Sequence, residues 1–340
     1  MDEEMEVAEI RFAENLCSCS PKIRRRALNR LHDFIKNQTQ KREFTPESFN
    51  RLCRGLHYAM WMQDKMLLQE ELSDEYGSLV NLYNTHEEAI EYMRSMMYTL
   101  SKHWLNIDKW RMDKFLQMMR RLFRAFFVYL KNKNWDEELV ESSILFMRQT
   151  LITGEESGIH ESLKMHFATL YIEELDYAGD LSKKQVITFI KPFVELMKRT
   201  CSDSLMKSVY TEIFHTILEG YAAELEKKEG NKKVEGDLKG DGAPIEFDYA
   251  AIIELLKEAV TSETMNSKKK KKLQPLIAQF EEVARGENPF KDIMEPDRKD
   301  PLSNEMISKA VDKLHSLESK MKKDKKKFKA VKRTIKKART

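Results

Sequence analysis

Glycine, proline and cysteine are scarce in this 340-residue chain, and each scarcity excludes something. There are 11 Gly and 8 Pro, where average usage of roughly 7% and 5% would give about twice as many of each. A chain so poor in turn-formers is expected to be mostly helix, and its commonest polar residues, Lys and Glu, are good helix formers. The four cysteines, Cys17, Cys19, Cys53 and Cys201, are too few and too scattered for a disulfide framework. No second Cys/His pair lies at ligand spacing from Cys17 and Cys19, so no metal site is expected. A run of 18 apolar residues is missing, which argues against a membrane span. The acidic start MDEEMEVAEI has no secretory-signal pattern, so a soluble intracellular protein is expected. Also missing are a Gly-rich phosphate loop, HExxH, GxSxG and CxxC. The eight histidines are dispersed, and the paired acids Glu70–Glu71 and Glu173–Glu174 project about 100° apart on a helix. No active site, cofactor or small-molecule substrate is therefore expected.

What is present is charge and helical periodicity. Hydrophobic residues make up 41% and charged residues 34%, too apolar a chain for wholesale disorder. The net charge of +3 is unevenly spread: 14 basic and 4 acidic residues between Ser303 and Thr340 give +10, leaving −7 on the rest. A mildly acidic body with a basic end resembles proteins whose tail meets a polyanion, although a merely solvated tail has the same composition.

From Glu4 to about Glu226 amphipathic helices of roughly 12–25 residues follow one another with short polar links. Ser20 and Pro21 open one, with Ile23, Ala27, Leu28, Leu31, Phe34 and Ile35 as its stripe; Thr45 and Pro46 open the next. Thr85 and Glu88 have capping-box spacing, a further helix starts near Asp64, and Asn134 and Glu137 start another. Met119, Leu122, Phe123, Phe126 and Leu130 share one face of the longest helix. Pro192 removes a backbone donor and is expected to kink or split its helix. Two helices in about 40 residues match the HEAT/armadillo class, so the expected fold is all-α: an irregular helical-repeat solenoid. A compact bundle is the plainer alternative. The expected division is a helical-repeat domain over 1–226, a Gly/Lys-rich linker over 227–246, and short helices with a largely disordered basic tail over 247–340.

Two basic features point to polyanions. Opposite the apolar stripe of the longest helix lie Arg111, Lys114, Arg120, Arg121 and Arg124. Such a row is usually a solvated face, and it also suits RNA phosphates or an acidic partner, because guanidinium donates bidentately. Reversing Arg121 and Arg124 to Glu is expected to leave thermal stability nearly unchanged and to weaken particle association. Between Lys320 and Arg339 twelve residues are basic and one is acidic, a density that binds nucleic acid by counterion release without reading bases. Lys322, Lys323, Lys325, Lys326, Lys327, Lys332, Arg333, Lys336 and Lys337 carry this tail. With the run Lys268, Lys269, Lys270, Lys271 and Lys272, they fit nuclear-localisation patterns.

The stretch Met60-Trp61-Met62-Gln63-Asp64-Lys65, followed by Leu67-Leu68-Gln69-Glu70-Glu71-Leu72, closely resembles the signature of the Rrp1/Nop52 family of nucleolar ribosomal RNA-processing proteins. A second block agrees: Trp104, Ile107-Asp108, Arg111, Asp113-Lys114-Phe115 and Arg120. Lys164, His166-Phe167, Glu173-Glu174-Leu175, Phe189-Ile190 and Pro192-Phe193 follow in order, so the resemblance covers roughly residues 5–221. It implies a nucleolar, solenoid-like assembly factor without catalytic activity. Such a factor joins large-subunit ribosome precursors, other assembly factors and pre-rRNA, and is needed for pre-rRNA processing and 60S biogenesis. A generic nuclear helical-repeat adaptor is the alternative. In the signature, Asp64 is placed to favour a helix start. Trp61, Met62, Gln63, Asp64 and Lys65 are either a corner that locks two helices or a partner-binding patch.

Overall fold

The computed structural model describes residues 11–41, 44–228 and 240–290, together with 311, 313 and 315. Among the described residues there is no strand. After a short helical segment over 11–16 come α1 (Pro21–Lys41), α2 (Pro46–Met62), α3 (Met66–Ser78), α4 (His86–His103), α5 (Lys109–Asn132), α6 (Glu137–Thr150), α7 (Glu161–Ala178), α8 (Lys183–Arg199), α9 (Asp203–Val209), α10 (Thr216–Lys228), α11 (Tyr249–Thr261) and α12 (Ser267–Ala284). A π-helical turn over Tyr210–His215 joins α9 to α10.

Side-chain caps set most of the starts. Thr45 accepts from the Ser48 amide and Thr85 from the Glu88 amide, each satisfying a donor with no partner inside its helix. Only half of the expected box forms at Thr85, because the Glu88 carboxylate instead accepts the Thr39 hydroxyl. The complete box is at Ser182 and Gln185. One expected start shifts. Asn134 adopts a left-handed conformation, and Asp136 caps α6 through the Glu138 and Leu139 amides. α3 begins at Met66, near Asp64 as expected, and its cap residue Lys65 makes no side-chain cap bond. α8 runs unbroken through Pro192, whose ring is buried, so the expected split does not occur.

The dominant contacts skip one helix. α3, α5, α7 and the α9–α10 rod pack in sequence as one ladder, and α2, α4, α6, α8 and α11 as a second. This is the two-layer arrangement of an α-solenoid. Between the layers lies an aromatic seam. Phe127 meets Tyr171 and Phe189 edge-on at 5.6 and 6.2 Å, and Tyr171 meets Phe193 at 4.7 Å. These rings and Phe115, Phe123 and Phe126 are fully buried, each worth about 1.5–3 kcal/mol in removed apolar surface. α3 crosses α5 closely at Gly77, where a Cβ would come within 2.8 Å of Ala125 Cβ and 2.9 Å of the Arg121 carbonyl oxygen.

The array does not stop at residue 226. α11 packs on α8 and α12 packs on α10 and α11, so both ladders gain one more rung beyond the glycine-rich segment. The segment leading into α11 is pinned to the α7–α8 corner. Asp180 donates its amide to the Ala243 carbonyl at 2.9 Å, and its carboxylate accepts the Ala243 amide at 2.8 Å. The Ile245 amide donates to Asp176 at 2.8 Å. Gly179 turns the chain there with φ 67°, and a Cβ would lie 2.5 Å from the Ala243 oxygen. Residues 249–284 lack apolar mass for a core of their own, yet a solenoid rung needs only its neighbour's exposed face. The chain divides into compact units of residues 1–289 and 290–340. The first ten residues, residues 229–239 of the glycine-rich segment and the tail lysines from Lys322 to Lys337 lie outside the described residues.

Candidate partner-docking corner

Where α2 gives way to α3, the chain turns through Gln63 in an extended conformation, leaving the last carbonyls of α2 without helical partners. A buried lysine takes them. Lys114 of α5 donates from Nζ to the Trp61 oxygen at 2.7 Å and to the Gln63 oxygen at 2.8 Å. Burial lowers the Lys114 pKa, and the two carbonyls supply the polar contacts its ammonium would otherwise find in water. Gln69 Nε2 also donates to the Gln63 oxygen at 2.8 Å, while Gln63 Oε1 accepts the Lys65 amide at 3.2 Å. Trp61 is half-buried, its ring 6.3 Å from Phe115 and 5.1 Å below the Arg111 guanidinium. Arg111 is held in turn by Asp108, whose carboxylate caps α5 through the Trp110 and Arg111 amides. The residues of the two signature blocks thus interlock at one point.

The most exposed large apolar side chains among the described residues are Trp110 at 92%, Leu105 at 81%, Leu67 at 71% and Met66 at 68%, with the next at 53%. Trp110 and Met66 border one groove of about 540 Å3, along with Asp64, Asp108 and Asp113. Its two cations turn inward, Arg111 onto Asp108 and Trp61 and Lys114 onto the carbonyls, so the carboxylates dominate the open side. A Trp left in water beside an exposed Met has the composition of an interface anchor. Asp64 is exposed and lines this groove rather than capping α3. Met62 is half-buried, Gln63 buried and Lys65 exposed. Trp110 was not singled out from the sequence. Its signal was available: a tryptophan on the polar arc of α5, off the Phe115–Met119–Phe126 stripe.

The basic row on α5 lies largely between helices. Arg124 donates to Glu174, which is fully buried, from Nε at 2.5 Å and Nη2 at 3.0 Å. Arg120 bonds Glu173 and Glu174 at 2.5 and 3.0 Å, and Arg121 pairs with Asp74 at 3.4 Å. Burial is the largest influence on Arg124 and opposes its charge, but the hydrogen bond and charge of Glu174 outweigh it and raise the pKa. The expectation that reversing Arg121 and Arg124 leaves stability unchanged is therefore corrected. An acid at position 124 would face a buried carboxylate.

The lysine run falls inside a helix. Asn266 caps α12 and Lys268–Lys272 form its first turns. Lys268 and Lys272 pair with Asp203 at 2.9 and 3.0 Å. Lys269 donates to the Thr200 oxygen and, at 3.3 Å, to the Lys198 oxygen. The lysines of the tail lie outside the described residues.

Residues 7–339 match the family model described as nucleolar protein, Nop52, well beyond the 5–221 suggested by the motifs. The chain is 39% identical over 338 residues to the ribosomal RNA processing protein 1 homolog of Caenorhabditis elegans, covering 99% of this chain and 83% of that one. The homolog A of Homo sapiens is 27% identical, with 84% of this chain and 73% of that protein covered. The homolog A of Mus musculus is 33% identical over 215 residues, 62% of this chain and 43% of that protein.

Proposed function

Because the chain belongs to the Nop52 family of nucleolar proteins and so acts in ribosome biogenesis, we propose that it is a non-catalytic scaffold that holds another assembly factor on large-subunit precursors through the Trp110 corner. One observation carries this reading. Trp110 and Met66, two of the most exposed large apolar side chains among the described residues, border one groove where two signature blocks are locked together by Lys114. A rigid corner presenting an unburied tryptophan presents an anchor at little ordering cost to itself. Holding a partner and pre-rRNA on one spine raises their effective concentration for each other without chemistry at the scaffold. The carboxylates around the groove favour a partner segment that brings basic residues beside its apolar ones. The tail from Lys320 onward adds a salt-sensitive, sequence-independent grip on pre-rRNA. In this reading Arg120 and Arg124 serve the spine, and only the outer parts of the α5 row are open to a partner.

The test is a photo-activatable amino acid at position 110 in cells, followed by gradient fractionation. Adducts to one assembly factor within large-subunit precursors support the reading. Position-110 adducts confined to free protein, or none in precursor fractions, count against it.

A further inference from the structure

The docking groove contains one complete arginine cradle and the parts of a second. In the first, the Arg111 guanidinium lies 5.1 Å over the Trp61 ring and pairs with the carboxylate of Asp108, one turn before it. In the second, Trp110 and Asp113 follow one another at helical spacing on α5, which makes them surface neighbours, and both border the groove. Trp110 is 92% exposed, and Asp113 is exposed too. The charge around the groove is not balanced. Its lining holds three carboxylates, Asp64, Asp108 and Asp113, against two cations, Arg111 and Lys114. Arg111 belongs to Asp108. Lys114 is bonded to the Trp61 and Gln63 oxygens, and Asp64 supports its charge. The Asp113 carboxylate has no hydrogen bond or ion pair among the described residues. One negative charge is thus left over, and it sits beside the exposed indole.

We propose that this second pair seats an arginine of the protein partner, its guanidinium stacked on the Trp110 indole and donating to the Asp113 carboxylate. The proposal rests on the docking reading above and deepens it, from a basic and apolar segment to one residue with a defined seat. Guanidinium is planar and weakly hydrated, so it lies on a ring and still donates two parallel hydrogen bonds to a carboxylate. Indole is the strongest aromatic face for a cation. Met66, 68% exposed on the same groove, offers apolar surface to the arginine stem. A lysine ammonium is a compact, strongly hydrated point charge and does not match ring and carboxylate together. A purely apolar side chain would cover the ring and leave Asp113 desolvated without a partner, which costs affinity. An RNA phosphate would meet a lining of its own sign.

The experiment uses the full-length chain in cells, with variants that each remove one part of the seat, read on sucrose gradients. Asp113→Asn is expected to lower the ratio of precursor-bound to free protein about tenfold, the loss of one charge-assisted hydrogen bond. Asp113→Arg should lower it further, because it sets like charges together. Trp110→Phe keeps a ring of weaker face and should lower the ratio about threefold. Both residues are exposed, so the melting temperatures should match wild type. A photo-activatable amino acid in place of Gln117, which borders the groove, leaves the seat intact and reports what lies in it. Mass spectrometry of the adduct should find an arginine of the partner within about one helical turn of the crosslinked position. Asp113→Asn that stays with precursors as wild type does overturns the proposal. So does a crosslinked segment whose nearest cation is a lysine, or that has none. The docking reading outlives either result so long as Trp110→Ala leaves the precursors. If Trp110→Ala stays with them, that reading fails and the arginine seat fails with it.

Discussion

The α2–α3 corner and the α8–α9 corner are closed by the same device and dressed for opposite purposes. At the first, Lys114 captures the oxygens of Trp61, the penultimate residue of α2, and of Gln63, the residue just past it. At the second, Lys269 captures those of Lys198, penultimate in α8, and Thr200, just past it. Each lysine comes from the next helix of the first ladder, and each places a cation where the macrodipole and the unpaired carbonyls favour one. The surroundings then diverge. Lys114 is buried, and the groove it borders is edged by the exposed Trp110 and Met66. Lys269 is half-buried, and outside it stand the exposed pairs of Asp203 with Lys268 and Lys272. The solenoid uses one structural rule twice, with an apolar finish at the first corner and a charged finish near its last rung.

The scale for breaking this comparison is set away from both corners by Arg124→Glu. It should cost about 3–5 kcal/mol in chemical denaturation, because a buried Glu174 would lose its partner and face a like charge. Between the corners, Lys114→Ala should cost about 2–3 kcal/mol and Lys269→Ala about 1 kcal/mol, since the first strands buried carbonyls and the second lets water in. Equal losses would show that burial does not distinguish the two clamps. Acid should find the first corner before the second. His57, beside Lys114, has its pKa lowered to about 3 by burial first and then by His103 and Lys114. The unfolded chain therefore binds the proton more readily. Stability is fully present above about pH 6.5 and falls as pH drops toward 3, by about 2 kcal/mol between pH 7 and 5. His57→Gln should flatten that slope in denaturation at several pH values. Asp203 has its carboxyl lowered to about 2 by hydrogen bonds from Lys268 and Lys272 and by their charge. Its contribution is present above about pH 3.8 and lost only as pH falls through 2. Being exposed, Asp203→Asn should leave the neutral-pH melting temperature within error.

Much of this was legible in the chain. The stripes on α1, α2 and α5, the Thr45 and Thr85 caps and the two-helix spacing follow from apolar period and capping chemistry, which are local properties. The stripes of α11 and α12 were equally visible; what concealed their place was the glycine-rich run before them, which reads as an end although the last rung needs no core of its own. Lys114 and Lys269 were visible only as members of a basic row and a lysine run. Their partners are carbonyls 51–53 and 69–71 residues away, and carbonyls leave no mark in a sequence. Glu173 and Glu174 diverge by about 100° at the helix backbone, yet both carboxylates reach one nitrogen, Arg120 Nη1, across the ladder. The signature pointed to Trp61, which Arg111 covers, while Trp110 stands beside it in water.

The account turns on whether the Trp110 corner, rather than charge alone, holds the protein to its precursors. Sucrose-gradient sedimentation of the full chain bearing Trp110→Ala and Met66→Ala tests this most directly, beside Lys268→Ala/Lys272→Ala as the charged-corner control. The prediction is that the Trp110 variant, folded and with unchanged melting temperature, leaves the large-subunit precursor fractions while the control stays with them. A Trp110 variant that sediments with precursors as wild type does would contradict it.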